Sequence, residues 1–208
     1  MLLPSCVPYL QVRSHSIYWI LGIGLIVRIA FMMFDPVLEI DFYRYLWDGG
    51  VINAGYSPYK WSPDQVLSGE APIELQNLAS SAPAVVESIN YPHLTTIYPP
   101  VAEAVFALSS WIKPWDLTVW RLIILAFELV TVGLLSCILR HINRSSVWII
   151  LYWWNPIVIF EFSNAAHMDA ILLPFLIAAL YFARKSRRPY ASTICLAIGT
   201  AIKLWHVL

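Results

Sequence analysis

Apolar residues fall into runs of the length that a membrane-crossing helix needs. The first run, residues 16–34, has 19 residues, about enough to cross a ~30 Å hydrocarbon core at ~1.5 Å per residue. A cleaved signal peptide is the alternative, but the run is long for one and no small-residue cleavage site follows it. We interpret it as a transmembrane helix. Arg28, inside the run, should then face protein, water or a lipid headgroup.

Further apolar runs predict a helical membrane protein without a separate soluble domain. They cover residues 97–112, 119–139, 147–162, 169–183 and 191–208. The predicted fold class is all-α, a polytopic transmembrane helical bundle forming a single membrane domain over residues 1–208. Because the last run reaches the final residue, we expect the chain to be C-terminally incomplete.

Composition supports the membrane interpretation. Hydrophobic residues make up 59% of the chain and charged residues 12%, against about 45–50% and about 25% in soluble domains. The 13 basic and 13 acidic side chains cancel, so no overall positive field attracts nucleic acid. Membrane lipid is the expected surrounding, and nucleic acid is not an expected partner.

The first long loop, residues 35–96, is acidic. It carries eight acids and two bases, a net charge of 2 − 8 = −6. Lys and Arg near membrane spans are retained on the cytoplasmic side, where we place the basic clusters 140–144 and 184–188. The loop is therefore predicted to be extracytoplasmic, on the outside of the plasma (inner) membrane. Long ordered loops of this kind often carry function.

This orientation allows only one full crossing between the loop and cluster 140–144, yet two apolar runs lie there. Run 97–112 is the shorter and opens on Pro99-Pro100, so we interpret it as a segment that does not cross fully. The alternative is that Arg140 and Arg144 do not follow the charge rule. With the first interpretation, residues 164–169 lie outside, on the same face as the acidic loop.

The start of the loop carries a dense polar motif, residues 39–49. Asp41 can cap a helix there and Gly49 can end it, with an apolar stripe at helical spacing between them. The motif predicts a short interfacial helix on the membrane surface. On the plainest interpretation, Asp41 is a helix cap and Asp48 a solvated acid. The functional interpretation depends on the crowding of polar residues, namely Glu39, Asp41, Tyr43, Arg44 and Asp48.

A second polar motif is His167-Met168-Asp169. Its plain interpretation is a loop histidine followed by an Asp that caps the next helix. Two neighbours at this spacing supply only part of a metal coordination shell. A divalent metal ion, held by Asp41 and Asp169, is considered without being required.

These motifs together resemble the polytopic GT-C glycosyltransferases, in particular bacterial mannosyltransferase-like members that use polyprenyl-phosphate sugar donors. The resemblance covers nearly the whole chain from Arg28. The matching blocks are 41–49, Asn53-Ala-Gly-Tyr-Ser-Pro-Tyr59, Thr96-Ile-Tyr-Pro-Pro100, Trp154-Asn-Pro156, Glu161, His167-Met-Asp169 and Ile202-Lys-Leu204. It implies an extracytoplasmic active site that transfers a hexose such as mannose to a glycan or lipid acceptor.

The resemblance places the acid of the first outer loop, here Asp41, near the acceptor. An acceptor hydroxyl is a poor nucleophile, and a carboxylate can take its proton as the new bond forms, so we predict Asp41 to be the general base. The departing polyprenyl phosphate needs a cation, for which Arg121 and Lys203 are the candidates. Snorkelling to the headgroups is the alternative for both. The predicted substrate-binding residues are Glu39, Tyr43, Arg44, Asp48, Tyr98, Arg121, His167, Asp169 and Lys203.

Two departures from the family pattern limit the prediction. Gly50 stands where a basic residue after Asp-Gly would be expected, which puts one phosphate or sugar contact in doubt. Family members usually have roughly twice as many spans as this chain. The competing hypothesis is a non-catalytic membrane component, either a lipid-carrier transporter subunit or an inactive remnant. Charged residues inside apolar runs would then mark a transport path: Arg28, Glu103, Glu128, Glu161 and Lys203.

Overall fold

The computed structural model describes residues 15–37, 39–184 and 188–203, and these residues form helices and loops without a β-strand. The predicted all-α class is confirmed. The helices are α1 His15–Met32, α2 Phe42–Asn53, α3 Pro63–Leu67, α4 Ile73–Ser81, α5 Pro83–Val86, α6 Pro100–Ile112, α7 Leu117–His141, α8 Ile150–Trp153, α9 Pro156–Ile159, α10 Leu173–Arg184 and α11 Pro189–Thr200. Short 3-10 helices cover Ser146–Ile149 and Met168–Ile171, and a π-helix covers Phe160–Asn164. Residues 204–208 of the last predicted run lie outside the described residues.

Helix α7 is the one helix in the described ranges that is by itself long and apolar enough to cross a membrane. Its 25 residues span about 37 Å at ~1.5 Å per residue. The segments Ser146–Trp153 and Pro156–Asn164 are separated by a bend, and together they form a second crossing if they are taken as one broken span. Helix α6 has 13 residues, roughly 20 Å at that rise, and is too short to cross.

The predicted run 147–162 is broken rather than straight. Its halves meet at Asn155 and are bent by 60°. The Asn155 side chain accepts a hydrogen bond from the backbone N–H of Ile157, and Pro156 begins the next helix. Proline cannot donate the hydrogen bond that would continue the preceding helix, so the chain restarts with a new N-cap.

A buried ion pair joins α1 to α7. The Arg28 guanidinium donates to the Glu128 carboxylate at 2.7 and 3.0 Å, and both side chains are fully buried. Arg28 also donates to the Trp153 carbonyl at 2.7 Å and lies 3.5 Å from the centroid of the Trp153 ring. Arg28 was expected to face protein, water or a lipid headgroup, and the structure shows it surrounded by protein. The pair locks three segments together, which is a packing role rather than an open polar path.

Arg121 ties several segments together at one end of the bundle. Its guanidinium donates to the carbonyls of Met32, Phe34 and Asn164 at 2.6, 3.0 and 2.5 Å. The end of α1, the start of α7 and the end of the broken segment therefore meet there. The basic cluster 140–144 begins in the last turn of α7, at the opposite end of this helix.

Helix α2 differs from its prediction in two ways. It is a core helix, not one lying on a surface, because nine of its twelve residues are buried. It also continues through Gly49 to Asn53, so the prediction that Gly49 ends it is wrong. A methyl group at Gly49 would overlap the Phe106 carbonyl of α6, and one at Gly50 would overlap the Trp115 ring. The two glycines allow close helix packing here instead of ending a helix.

Candidate functional site

Asp41 lies at the start of α2, half-buried, with its side chain free of any capping role. It occupies the N-cap position but makes no capping hydrogen bond, so the cap interpretation fails at the level of the side chain. The Asn90 amide instead donates to Asp41 Oδ1 at 3.3 Å. The carboxylate at the start of α2 is therefore not hydrogen-bonded to the backbone of this helix.

Two tyrosines lie beside this acid. The Tyr45 and Tyr98 rings contact each other edge to face, with 5.3 Å between their centroids. Burial raises the pKa of Tyr45, and the nearby Tyr98, Asp41 and Asp169 raise it further. Asp41 and Asp169 therefore both lie within electrostatic range of the Tyr45 hydroxyl.

Asp169 belongs to a cluster with His167 and Lys203. Lys203 Nζ donates to Asp169 Oδ1 at 2.5 Å, and His167 Nδ1 lies 3.6 Å from Asp169 Oδ2. His167, not Asp169, occupies the N-cap of the 3-10 helix, and its Nδ1 accepts from the Asp169 backbone N–H at 3.4 Å. The cap interpretation of Asp169 is therefore wrong, and its carboxylate is available for Lys203.

The backbone brings this cluster to the Tyr98 turn. The N–H of Val101, at the start of α6, donates to the carbonyl of Ala201 at the end of α11, at 3.0 Å. Lys203 and Tyr98 therefore flank one helix junction. Asp41, Tyr45, Tyr98, Asp169 and Lys203 form what we call the acid–lysine site.

Behind Tyr45 lies a buried polar cluster. Arg44 Nε is 3.4 Å from Asp48 Oδ2, and Arg44 Nη2 donates to the Leu94 carbonyl at 2.5 Å. The Thr96 hydroxyl donates to Glu103 Oε1 at 2.6 Å and accepts from the Tyr98 N–H at 3.3 Å. Asp48 is 2% exposed, so it is not the solvated acid of the plainest interpretation. The cluster joins α2 to the turn that carries Tyr98.

Asp48 and Glu103 both have raised pKa values in this cluster. Burial raises the pKa of Glu103 from 4.5 to about 8, and the Asp48 carboxylate adds to the rise. Burial also raises the pKa of Asp48, to about 6, against the lowering effect of Arg44. Near neutral pH Glu103 is therefore mainly protonated, whereas Asp48 is mainly ionised. This arrangement avoids two buried, adjacent negative charges.

The raised pKa of Glu103 makes stability fall as the pH rises. Between about pH 4.5 and pH 8, folded protein holds the Glu103 proton that the unfolded chain releases. The melting temperature of the wild type should therefore fall across this window. Gln at position 103 has no proton to lose in this range. The melting temperature of Glu103→Gln should therefore fall less steeply with pH than that of the wild type. Differential scanning fluorimetry of both proteins checks this expectation.

The exposed acid Glu87 provides the control, because Glu87→Gln should keep the wild-type dependence on pH. A Glu103→Gln protein with the wild-type dependence on pH would contradict the raised pKa of Glu103.

Three predicted substrate-binding residues lie outside both the acid–lysine site and the side-chain clusters that adjoin it. The Arg121 guanidinium is 4% exposed and is engaged by three carbonyls. Tyr43 lies on another face of α2 and lines a cavity of about 280 Å³ with Asp35 and Trp115. Glu39 is half-buried in the segment before α2. Arg44 and Asp48 support the site from behind.

Asp41 and Asp169, the two acids considered as metal ligands, do not form a metal site in the described structure. Asp169 is engaged by Lys203, and Asp41 accepts from Asn90. In the part of the chain that the structure describes, no group of three or more His, Cys, Asp or Glu residues is placed to hold a metal ion.

The sequence pattern does not indicate Tyr45 or Glu103 as site residues. Tyr45 belongs to the apolar stripe predicted for α2, although its hydroxyl gives it a polar end that must be accommodated when buried. Glu103 stands in the sequence only as an acid inside an apolar run. Its position seven residues after Thr96, in the turn that opens with Tyr98-Pro99-Pro100, is the signal that could have placed it here.

Comparison with known families gives one match. The sequence model of the MptA_B family, described as alpha-(1->6)-mannopyranosyltransferase, N-terminal domain, matches residues 10–208. Neither the curated proteins nor the solved structures contain a significant match.

Proposed function

Because the chain belongs to the MptA_B family of alpha-(1->6)-mannopyranosyltransferases, we propose that it transfers mannose from a polyprenyl-phosphate donor to an extracytoplasmic glycan or lipid acceptor. The mannosyltransferase resemblance inferred from sequence is confirmed at the level of the family. The family describes an N-terminal domain, in agreement with the expected N-terminal position of this chain. The donor, the acceptor and the catalytic base are the proposed parts.

The observation that carries the proposal is the Asp41 carboxylate, which caps no helix and, like Asp169, the partner of Lys203, acts electrostatically on Tyr45. Asp41 caps no backbone group and is half-buried, so it can accept a proton from an acceptor hydroxyl. As that oxygen bonds to the anomeric carbon of the donor, the bond from this carbon to the phosphate oxygen breaks. The Asp41 carboxylate retains the proton that the hydroxyl loses.

Lys203 is the proposed partner of the departing phosphate. Negative charge grows on the phosphate as the bond breaks, and a positioned ammonium group stabilises it. Asp169 holds Lys203 at 2.5 Å and thereby orients the ammonium group. Arg121, the other cation considered, is engaged by backbone carbonyls, which favours Lys203.

Removing the Asp169–Lys203 pair should weaken use of the donor. Lys203→Met is expected to raise the donor KM roughly tenfold, the effect of losing a hydrogen bond to a charged group. Asp169→Ala should have a similar effect, and His167→Ala a smaller one. The double variant of Asp169 and Lys203 should lose less than the product of the single losses, since the two groups act as one unit.

Steady-state transfer at varied donor concentration measures these effects. Lys113→Met is the matched control, because Lys113 is an exposed lysine that pairs with Asp116 away from the site. Fully multiplicative losses, or an unchanged KM in Lys203→Met, would assign the pair to packing alone.

We further propose a multi-pass arrangement in the plasma membrane with the acid–lysine site outside. The joining of the α1 end, the α7 start and Asn164 by Arg121 supports a common face for the acidic loop and the 164–169 segment. The arrangement also agrees with α6 not crossing, because its start contacts the α11 end and α7 begins shortly after its last residue.

Cysteine labelling from outside intact cells tests this arrangement. In a background without Cys6, Cys137 and Cys195, Ser80→Cys should react with a membrane-impermeant maleimide, because Ser80 is exposed on the acidic loop. His141→Cys, exposed in the last turn of α7, should react only after permeabilisation. The reverse pattern would place the site on the cytoplasmic side.

A further inference from the structure

An apolar groove lies at the basic end of α7, remote from the acid–lysine site. Its volume is about 440 Å³, and it runs between the last turns of α7 and the segment Ser146–Trp153. The lining residues are Leu135, Ile138, Leu139, Arg144, Trp148, Ile149, Leu151 and Tyr152. Arg144 is the one charged residue among them.

The groove is open to the surface of the protein. Ile149 forms a buried part of its wall, whereas Trp148 is 51% and Leu151 67% exposed. Large apolar side chains exposed side by side mark a binding surface or a membrane-facing surface. Trp148 also has the amphipathic ring that is enriched where hydrocarbon meets headgroups.

The rim of the groove is cationic. The Arg144 side chain is exposed and makes no hydrogen bond or ion pair within the described ranges. Arg140 and His141 lie on the same end of α7. Glu128, the acid of α7, lies three turns away and is engaged by Arg28. An anion at the rim would therefore meet positive charge without a competing carboxylate.

We propose that this groove is a binding site for an anionic phospholipid of the cytoplasmic leaflet, with an acyl chain along the apolar wall and the phosphate on Arg144. The proposal requires the membrane arrangement given above but not the mannosyltransferase chemistry. Basic pockets between membrane helices on the cytoplasmic side recognise anionic headgroups in this way. A neutral phospholipid gains the same apolar contacts but brings no net charge to Arg144.

Native mass spectrometry of the purified protein tests the site, with phosphatidylglycerol and phosphatidylcholine of identical acyl chains added in separate titrations. One phosphatidylglycerol should bind more tightly than phosphatidylcholine. Arg144→Gln should weaken phosphatidylglycerol binding roughly fivefold, as expected for one basic residue near an anionic lipid. Phosphatidylcholine binding should stay unchanged in this variant. Leu139→Trp, which fills the groove, should weaken both lipids.

The matched control is Arg188→Gln, because Arg188 is an exposed arginine in the other basic cluster and does not line the groove. Equal losses in Arg144→Gln and Arg188→Gln would replace the site by diffuse surface attraction. Equal binding of the two lipids would remove the role of Arg144. Absence of bound lipid would contradict the proposed site. If Leu139→Trp fails to fold, the two arginine variants still decide between these results.

Discussion

Replacing Asp41 by Asn should lower mannosyl transfer at least ~10²-fold, the lower range for removal of a general base. Asn is close to Asp in shape and keeps an oxygen that can accept from Asn90, the hydrogen bond seen at 3.3 Å. Asp41 makes no capping hydrogen bond, so loss of a cap cannot account for a loss of activity. The amide has no basic oxygen with which to take the acceptor proton. Transfer rates at saturating donor, measured in membranes that contain equal amounts of protein, give the comparison.

The control for Asp41→Asn is Glu39→Gln. Glu39 is a half-buried acid two residues before Asp41 and is not part of the acid–lysine site. Its variant should retain most activity, and donor binding to Asp41→Asn should remain close to that of the wild type. Near-normal transfer by Asp41→Asn would move the base elsewhere, first to Asp169 and then to Glu39.

The largest expected effect on stability comes from Glu128→Ala, which should destabilise the protein by about 3–5 kcal/mol. Glu128 supplies the only carboxylate that contacts the fully buried Arg28 among the described residues. Its removal leaves a guanidinium that is held by the Gly24 and Trp153 carbonyls but has no counter-charge. The expected loss of stability comes from leaving a buried charge without a counter-charge, and it is larger than the net contribution of the ion pair to stability.

Equilibrium unfolding in mixed micelles at increasing SDS fraction measures this effect. The double variant Arg28→Met/Glu128→Leu removes both charges and should recover most of the lost stability. Exposed Glu87→Ala should change stability by less than about 0.5 kcal/mol. If Glu128→Ala falls within about 1 kcal/mol of the wild type, water or lipid headgroups must reach Arg28.

Helical periodicity and apolar runs predict much of the fold of this chain because they are local properties. The start of α1, the position of α7 and the helix that begins near Asp41 follow from them. The role of Gly49 does not, because glycine ends helices as readily as it allows helices to approach closely, and the choice depends on α6 lying across it. The break at Asn155-Pro156 is visible in the sequence, but its 60° bend is not.

The candidate site could be predicted in part. Motif position and charge rules predict polar crowding around Asp41 and a common membrane face for Asp41 and Asp169, and this common face stays a prediction. The Asp169–Lys203 pair spans 34 residues and requires α10 and α11 to return to the same end. The raised pKa values of Asp48 and Glu103 likewise depend on burial that a sequence does not state. Asp48, which the sequence allows as a solvated acid, is therefore buried by tertiary packing in the polar cluster next to the site.

The central claim is tested most directly by mannose transfer to an alpha-(1->6)-linked oligomannoside, comparing two radiolabelled donors in membranes that contain the protein. We expect transfer from polyprenyl-phosphate mannose, and no transfer above the empty-vector background from a mannose nucleotide. The activity should depend on Asp41. Transfer from the nucleotide alone, with the lipid-linked donor inert, would contradict the account.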